Sequence, residues 1–253
     1  MRFASLGSGS RGNATLIETG GTRLLLDCGF AARELEKRLL SFDIVPDSLS
    51  GILVTHEHQD HIRGVGVLAR RFGLPVWLTH GTLRCHRLGA MPSVNIIHGH
   101  ETSFFIGDLK VTAYPVPHDA REPVQFVFET QAARLGVLTD VGMITPHIVR
   151  VLANCTALLL ECNHDSEMLA NGPYPPSLQR RVAGSLGHLS NRQAAQLLEQ
   201  VEHPGLKRLV VGHISEKNNT PGLAREALLT AVPAIEKRLT LTRQDQASAW
   251  FEV

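Results

Sequence analysis

No apolar run in this 253-residue sequence approaches the roughly 18 residues that a membrane span needs. The opening Met1-Arg2-Phe3-Ala4-Ser5-Leu6-Gly7-Ser8-Gly9 has neither the apolar core nor the cleavage site of a secretory leader. The expectation is a cytoplasmic protein with no membrane partner. Cysteine is scarce: Cys28, Cys85, Cys155 and Cys162 show no C-x-x-C spacing. That argues against a disulfide framework and leaves reduced, mostly buried thiols. There is no low-complexity block, no linker rich in Ser or Pro and no visible repeat, so residues 1–253 read as one domain. Charge of one sign is also missing. A net charge of +1 does not announce a nucleic-acid binder, nor does it exclude one, since a local patch suffices. Lysine is rare, 5 residues against 20 arginines. Arginine favours bidentate phosphate contacts; a coding bias toward Arg, Ala, Leu and Gly gives the same ratio.

What is present is an ordinary globular composition, 43% apolar and 19% charged, with β-type runs alternating with helical patterns. Strands are expected at 3–6, 14–18, 23–27, 52–55, 76–79, 94–97, 110–115, 124–129, 135–139, 157–161, 208–211 and 247–253. Helices are expected at 31–40, 65–72, 192–202 and 222–229. Many mixed strands with interspersed helices suggest two sheets packed face to face with helices outside. The fold class is then α/β, a four-layer αββα sandwich.

One segment carries chemistry. Thr55-His56-Glu57-His58-Gln59-Asp60-His61 follows the apolar run Gly51-Ile52-Leu53-Val54. A helical metal site needs an i, i+4 histidine pair, and here the first two are i, i+2. A strand ending in a tight loop delivers His56 and His58 to one point, and Asp60 and His61 to a second one nearby. That suits two adjacent cations. With 13 histidines, chance pairs occur, as His98-Gly99-His100 illustrates. The full string after a buried strand is far harder to reach by accident. More ligands are needed, at the ends of later strands. His118, Asp140 and His213 fit, each after an apolar run and beside small residues or proline. Taken singly, each is equally a surface histidine or a turn-capping aspartate.

The pattern Thr-His-x-His-x-Asp-His, then His118, Thr139-Asp140 and Gly212-His213, resembles the metallo-β-lactamase-fold hydrolases along essentially the whole chain. More narrowly it resembles the YycJ/WalJ group. The likeness is carried by Ser8-Gly9-Ser10-Arg11-Gly12-Asn13-Ala14, Val116-Pro117-His118-Asp119-Ala120, Glu161-Cys162-Asn163-His164-Asp165, Gly187-His188-Leu189-Ser190-Asn191 and Gly212-His213-Ile214-Ser215-Glu216-Lys217-Asn218-Asn219. The resemblance implies the αββα metallo-β-lactamase fold and metal-dependent phosphodiester cleavage, exonucleolytic on DNA with 5′-3′ polarity. It also implies that His56, His58 and His118 hold one cation, Asp60, His61 and His213 the other, and Asp140 bridges them. The cations are two divalent ions, Zn²⁺ or Mn²⁺. Asp60 then counts as catalytic as well as a ligand.

His188 is the candidate general acid. Its segment resembles the His-Ser/Thr stretch that opens a helix in tRNase Z, and a helix start points backbone N–H groups at an anion; a plain helix cap is the alternative. Ser10 and Asn13, in a Gly/Ser-rich turn, and Asn163 and His164, after a strand, are candidate substrate contacts. Asp27 can orient a metal-bound histidine from behind. Arg180, Arg181 and Arg192 form either a phosphate-guiding strip or solvated surface. There is no room between the ligands for a tRNA-gripping arm or an inserted second domain. The expected partner is DNA or another phosphodiester. A small-molecule cyclic phosphodiesterase and a non-catalytic metal-bound sensor or scaffold stay open.

Overall fold

Consecutive residues of the central strands are all buried, so both faces of each sheet need cover. In the computed structural model, which describes residues 1–98 and 100–253, each face finds it. Gly99, the middle of the His98-Gly99-His100 triplet, lies outside the described residues. One sheet runs in the order β14 (Phe251–Glu252), β1 (Arg2–Gly7), β2 (Ala14–Thr19), β3 (Thr22–Leu26), β4 (Gly51–Leu53), β5 (Val76–Thr79), β6 (Val94–Ile97). The other runs β13 (Leu239–Leu241), β12 (Arg208–Gly212), β11 (Ala157–Glu161), β10 (Arg134–Leu138), β9 (Val124–Glu129), β8 (Leu109–Pro115), β7 (Thr102–Ile106).

Alternation assigns the side chains to three cores. Ile17, Leu24 and Leu26 meet Val111, Phe126, Leu159 and Val210 between the sheets. Leu16 and Leu25 point the other way, onto helices α1 (Ala32–Leu40) and α3 (Val65–Phe72) through Leu35, Leu39, Leu68 and Ala69. Leu158, Leu160, Leu209 and Val211 pack on α5 (Pro146–Leu152), α8 (Asn191–Val201) and α9 (Pro221–Ala231). The layers are helix, sheet, sheet, helix, as expected. The short helices α2 (Gln59–Ile62), α4 (His80–Leu83), α6 (Ser166–Asn171) and α7 (Pro176–Ala183) sit in connections. Among the described residues, no helix is long and apolar enough to cross a membrane. The four cysteines are free thiols, and Cys28, Cys155 and Cys162 are buried.

The sheets share a plan that the sequence does not display. Strands β1 to β3 pair antiparallel and β3 to β6 parallel. Strands β7 to β10 pair antiparallel and β10 to β13 parallel. Strand β3 therefore corresponds to β10, and β4 to β11. The expected closing strand 247–253 pairs only at Phe251–Glu252. Strands β7 and β13 were not expected.

Candidate metal centre

The loops after β4, β8, β10 and β12 bring the expected ligands together. Three groups of donor atoms each lie within 4.8 Å: His56, His58 and His118; His56, His61 and Asp140; and Asp140, Glu161, His188 and His213. Asp60 Oδ2 lies 3.5 Å from His61 Nε2 and 3.9 Å from His213 Nε2. Asp140 Oδ2 stands between the same two histidines, 3.2 Å from His61 Nε2 and 2.9 Å from His213 Nδ1. All seven residues named from the sequence thus meet at one rim of the sandwich.

The metal loop is held by its backbone. The amide N–H of Asn13 donates to the Asp60 carbonyl and that of Cys28 to the His61 carbonyl, each at 2.8 Å. A Cβ on Gly29 would lie 1.7 Å from the Asp60 carbonyl oxygen, so only glycine lets the chain pass. Asp27, Asp140 and His213 take left-handed backbone conformations, with φ of 60°, 53° and 52°. Such strain at three strand ends around one cavity is the pattern of a functional site.

The rings are also aimed. His61 Nδ1 donates to Asp27 Oδ2 at 2.8 Å, the supporting role expected of Asp27. His56 Nδ1 lies 2.9 Å from Thr55 Oγ1, which donates to Asp27. His118 Nδ1 lies 3.1 Å from the Gly187 carbonyl. In each ring one nitrogen is tied and Nε2 faces inward. His56 Nε2 is buried without a hydrogen-bond partner. Burial, with His61 next, holds the His56 imidazole well below its usual pKa, so it keeps a free lone pair. Burial also lowers His118. Asp27, Asp140 and Glu161 are buried, and among the described residues only histidines pair with them. Burial works to raise Asp140, but His213 and His61 outweigh it and hold it well below the carboxylate range. Buried acidic groups, inward imidazoles and an orphaned nitrogen fit divalent cations.

Glu161 is the residue the sequence reading passed over. It ends β11, fully buried. Its Oε2 accepts the Asp140 N–H at 2.7 Å and His188 Nδ1 at 3.1 Å; its Oε1 accepts the Leu189 N–H at 2.6 Å. A carboxylate closing a run of buried leucines was the available signal. Burial works against the charge on His188, yet Glu161, then Asp140 and Asp60, outweigh it and raise the pKa to about 9. His188 lines a cavity of about 190 Å³ with Ser10, His58, Asp60, Asp140 and His213.

The other candidates divide. Ser10 faces the cavity, whereas Asn13, Asn163 and His164 are buried and do not line it. The Asn13 amide reaches the Asp60 carbonyl and carboxylate, both at 3.3 Å, and so holds the metal loop. Asn163 donates to the His213 carbonyl at 3.1 Å, beneath the site and not at its rim. Burial holds His164 down at about 4. The α8 start does not serve as an anion site. Ser190 and Gln193 cap it reciprocally and the Asn191 N–H donates to the His164 carbonyl, so those donors are spent. Arg181 lines the cavity; Arg180 and Arg192 do not.

Comparison with known proteins agrees with this geometry. Residues 22–214 match the family described as Beta-lactamase superfamily domain. The chain is 36% identical over 229 residues to Exodeoxyribonuclease YycJ of Bacillus anthracis, covering 89% of this chain and 86% of that protein. It is 33% identical over 235 residues to Exodeoxyribonuclease WalJ of Streptococcus pneumoniae, covering 90% and 87%. The crystal structure of the metallo-beta-lactamase fold protein YhfI from Bacillus subtilis superposes with a TM-score of 0.75 at 14% identity, over 98% of each chain. The chain belongs to the metallo-β-lactamase-fold, metal-dependent hydrolases, in the group that contains YycJ and WalJ.

Proposed function

We propose that this hydrolase is a DNA exonuclease of 5′-3′ polarity, working with two divalent cations, Zn²⁺ or Mn²⁺, and acting as one domain in the cytoplasm. His56, His58 and His118 would hold one cation, Asp60, His61 and His213 the other, with Asp140 shared. Bound there, the cations would supply Lewis acidity and an activated water for attack on a phosphodiester. The chain's own groups do the rest. Glu161 fixes the His188 ring through Nδ1, and its charge favours the protonated imidazole. The remaining nitrogen then donates a proton to the leaving alkoxide. Asp27, Thr55 and Gly187 hold the imidazoles in one orientation, which avoids reorganisation during the reaction.

The observation that carries this reading is His188, on the wall of a cavity of about 190 Å³ shared with His58, Asp60, Asp140 and His213 and backed by the buried Glu161. A cavity this small admits a phosphate group and little beside it, so the rest of the substrate would lie outside it. The names of the two curated relatives point the same way. The same small volume favours a small-molecule phosphodiesterase as the second reading. End-labelled single- and double-stranded oligonucleotides, digested across a cation series, decide between them. Mononucleotides released in order from the 5′ end are expected. Internal cuts, or hydrolysis of cyclic nucleotides with none of DNA, would remove the exonuclease.

His188 also sits in a four-donor group with Asp140, Glu161 and His213, so a ligand role is the competing assignment. His188→Ala is expected to keep wild-type cation content by elemental analysis and lose about a hundredfold in kcat. Loss of a cation equivalent would make it a ligand, and full turnover would take it out of the reaction.

A further inference from the structure

The helix α7 lines the catalytic cavity through Leu178, Arg181 and Val182, yet buries none of its own side chains. A surface helix ordinarily buries an apolar stripe; this one spends its inner face on the cavity wall. We propose that Arg181 is a substrate-binding residue that grips the DNA phosphate next to the scissile one, and that Asp119 is the positioning residue that aims it. The proposal rests on the reading of the site as a nuclease.

Asp119 follows the expected ligand His118 and faces two ways. Its Oδ1 lies 3.5 Å from His118 Nε2 and 3.8 Å from His58 Nε2, and its Oδ2 accepts the Nε–H of Arg181. Among the described residues, Arg181 bonds to Asp119 through Nε, which leaves the paired Nη donors for a phosphate. The arginine side chain is 60% exposed on the cavity side of a carboxylate that is 24% exposed. A whole carboxylate separates the guanidinium from the His58 and His118 nitrogens. Arg181 thus enters the cavity wall one side chain outward from the histidine set, where a phosphate next to the scissile one would lie.

The segment that carries Arg181 is fastened to the loop of His118 and to His188. The Asp119 N–H donates to the Leu186 carbonyl at 2.9 Å and the His188 N–H to the Val182 carbonyl at 2.9 Å. His118 Nδ1 meets the Gly187 carbonyl at 3.1 Å. A Cβ on Gly187 would come within 2.2 Å of the Val182 carbonyl oxygen, so the chain closes there without slack. The Asp119 charge weakens the pull of Arg181 on an anion, but it fixes the fork in one direction, as supporting carboxylates do at built sites.

Arg181→Ala is expected to raise KM for a single-stranded oligonucleotide about ten- to a hundredfold while kcat changes less. The fold-loss on bis-p-nitrophenyl phosphate, which has one phosphate, is expected to be at least tenfold smaller. Binding of a labelled phosphorothioate oligonucleotide, followed by anisotropy, is expected to lose about one unit from its salt slope. Arg181→Lys restores that slope, which a merely structural role would not predict. Asp119→Asn costs less in the Arg181→Ala background than alone, because the two act as a unit. Equal losses on both substrates, or an unchanged salt slope with wild-type DNA turnover, overturn the proposal alone. A wild-type protein inactive on every oligonucleotide overturns the nuclease reading and this one with it.

Discussion

Replacing Asp140 with asparagine is expected to lower hydrolysis at least a thousandfold while the fold stands. The residue is strained, with φ of 53°, and asparagine is among the few side chains that accept that conformation. Its backbone N–H to Glu161 survives the change, and so does the side-chain volume. What is lost is one negative charge between His61 and His213, with an amide nitrogen turned toward rings already 3.2 and 2.9 Å away. A donor shared by two of the three clusters affects both at once. Removal of one preorganised electrostatic group commonly costs a hundred- to a thousandfold, and a ligand shared between the two proposed cations is expected to cost more. Elemental analysis is expected to show about one equivalent less cation, and thermal unfolding a small change. Near-normal turnover in a fully loaded variant would mean that Asp140 is not shared between the cations.

Glu161→Ala is expected to cost stability and turnover together. The carboxylate accepts three donors from inside the protein: the Asp140 N–H, the Leu189 N–H and His188 Nδ1. Alanine leaves all of them buried and unpaired, a loss of about 3–5 kcal/mol by analogy with broken buried pairs. For a chain of this size that is a fall in Tm on the order of 10 °C. His188 at the same time loses its orientation and the charge that favours its protonated form, so kcat is expected to fall a further hundredfold or more. Glu161→Gln separates the effects, since its amide oxygen still accepts one backbone N–H. Most of the stability should return and most of the turnover should not. A glutamine variant with wild-type kcat would reduce Glu161 to a purely structural residue.

The parts of this protein that were legible in its sequence are those where one residue type has one physical job. Val65–Phe72 repeats its apolar positions at helical spacing and ends at Gly73, whose φ of 65° is a helix stop, and its limits were readable from that. Strands Val76–Thr79, Val94–Ile97, Val124–Glu129 and Ala157–Glu161 likewise fall where β-branched and apolar runs lie between turn residues. What stayed hidden lacks a local signal. Thr102–Phe105 alternates between half-buried and exposed, only Ile106 of the strand is buried, and Phe105 is left in solvent. Pro176–Ala183 buries nothing, so it shows no period to read. The seven-residue set at the rim was readable because histidine after a buried strand is costly unless it binds something. Glu161 was not, because its partners are backbone groups brought near by folding. The side chain of Asn163 turns inward for the same reason: its hydrogen bond to the His213 carbonyl, 50 positions distant, decides its direction.

The matched plan of the two sheets gives Asp27 and Asp140 corresponding positions, one after β3 and one after β10, both in left-handed backbone. They clasp the same imidazole from opposite sides, Asp27 at Nδ1 and Asp140 at Nε2. Each half of the molecule therefore completes the other. His56 and His58 come from the first half and His118 from the second; Asp60 and His61 come from the first and His213 from the second. On the proposed reading, a cation held by either set would be a rivet through two similar plates, and a chelator that draws it out is expected to loosen the seam between them before it loosens either plate.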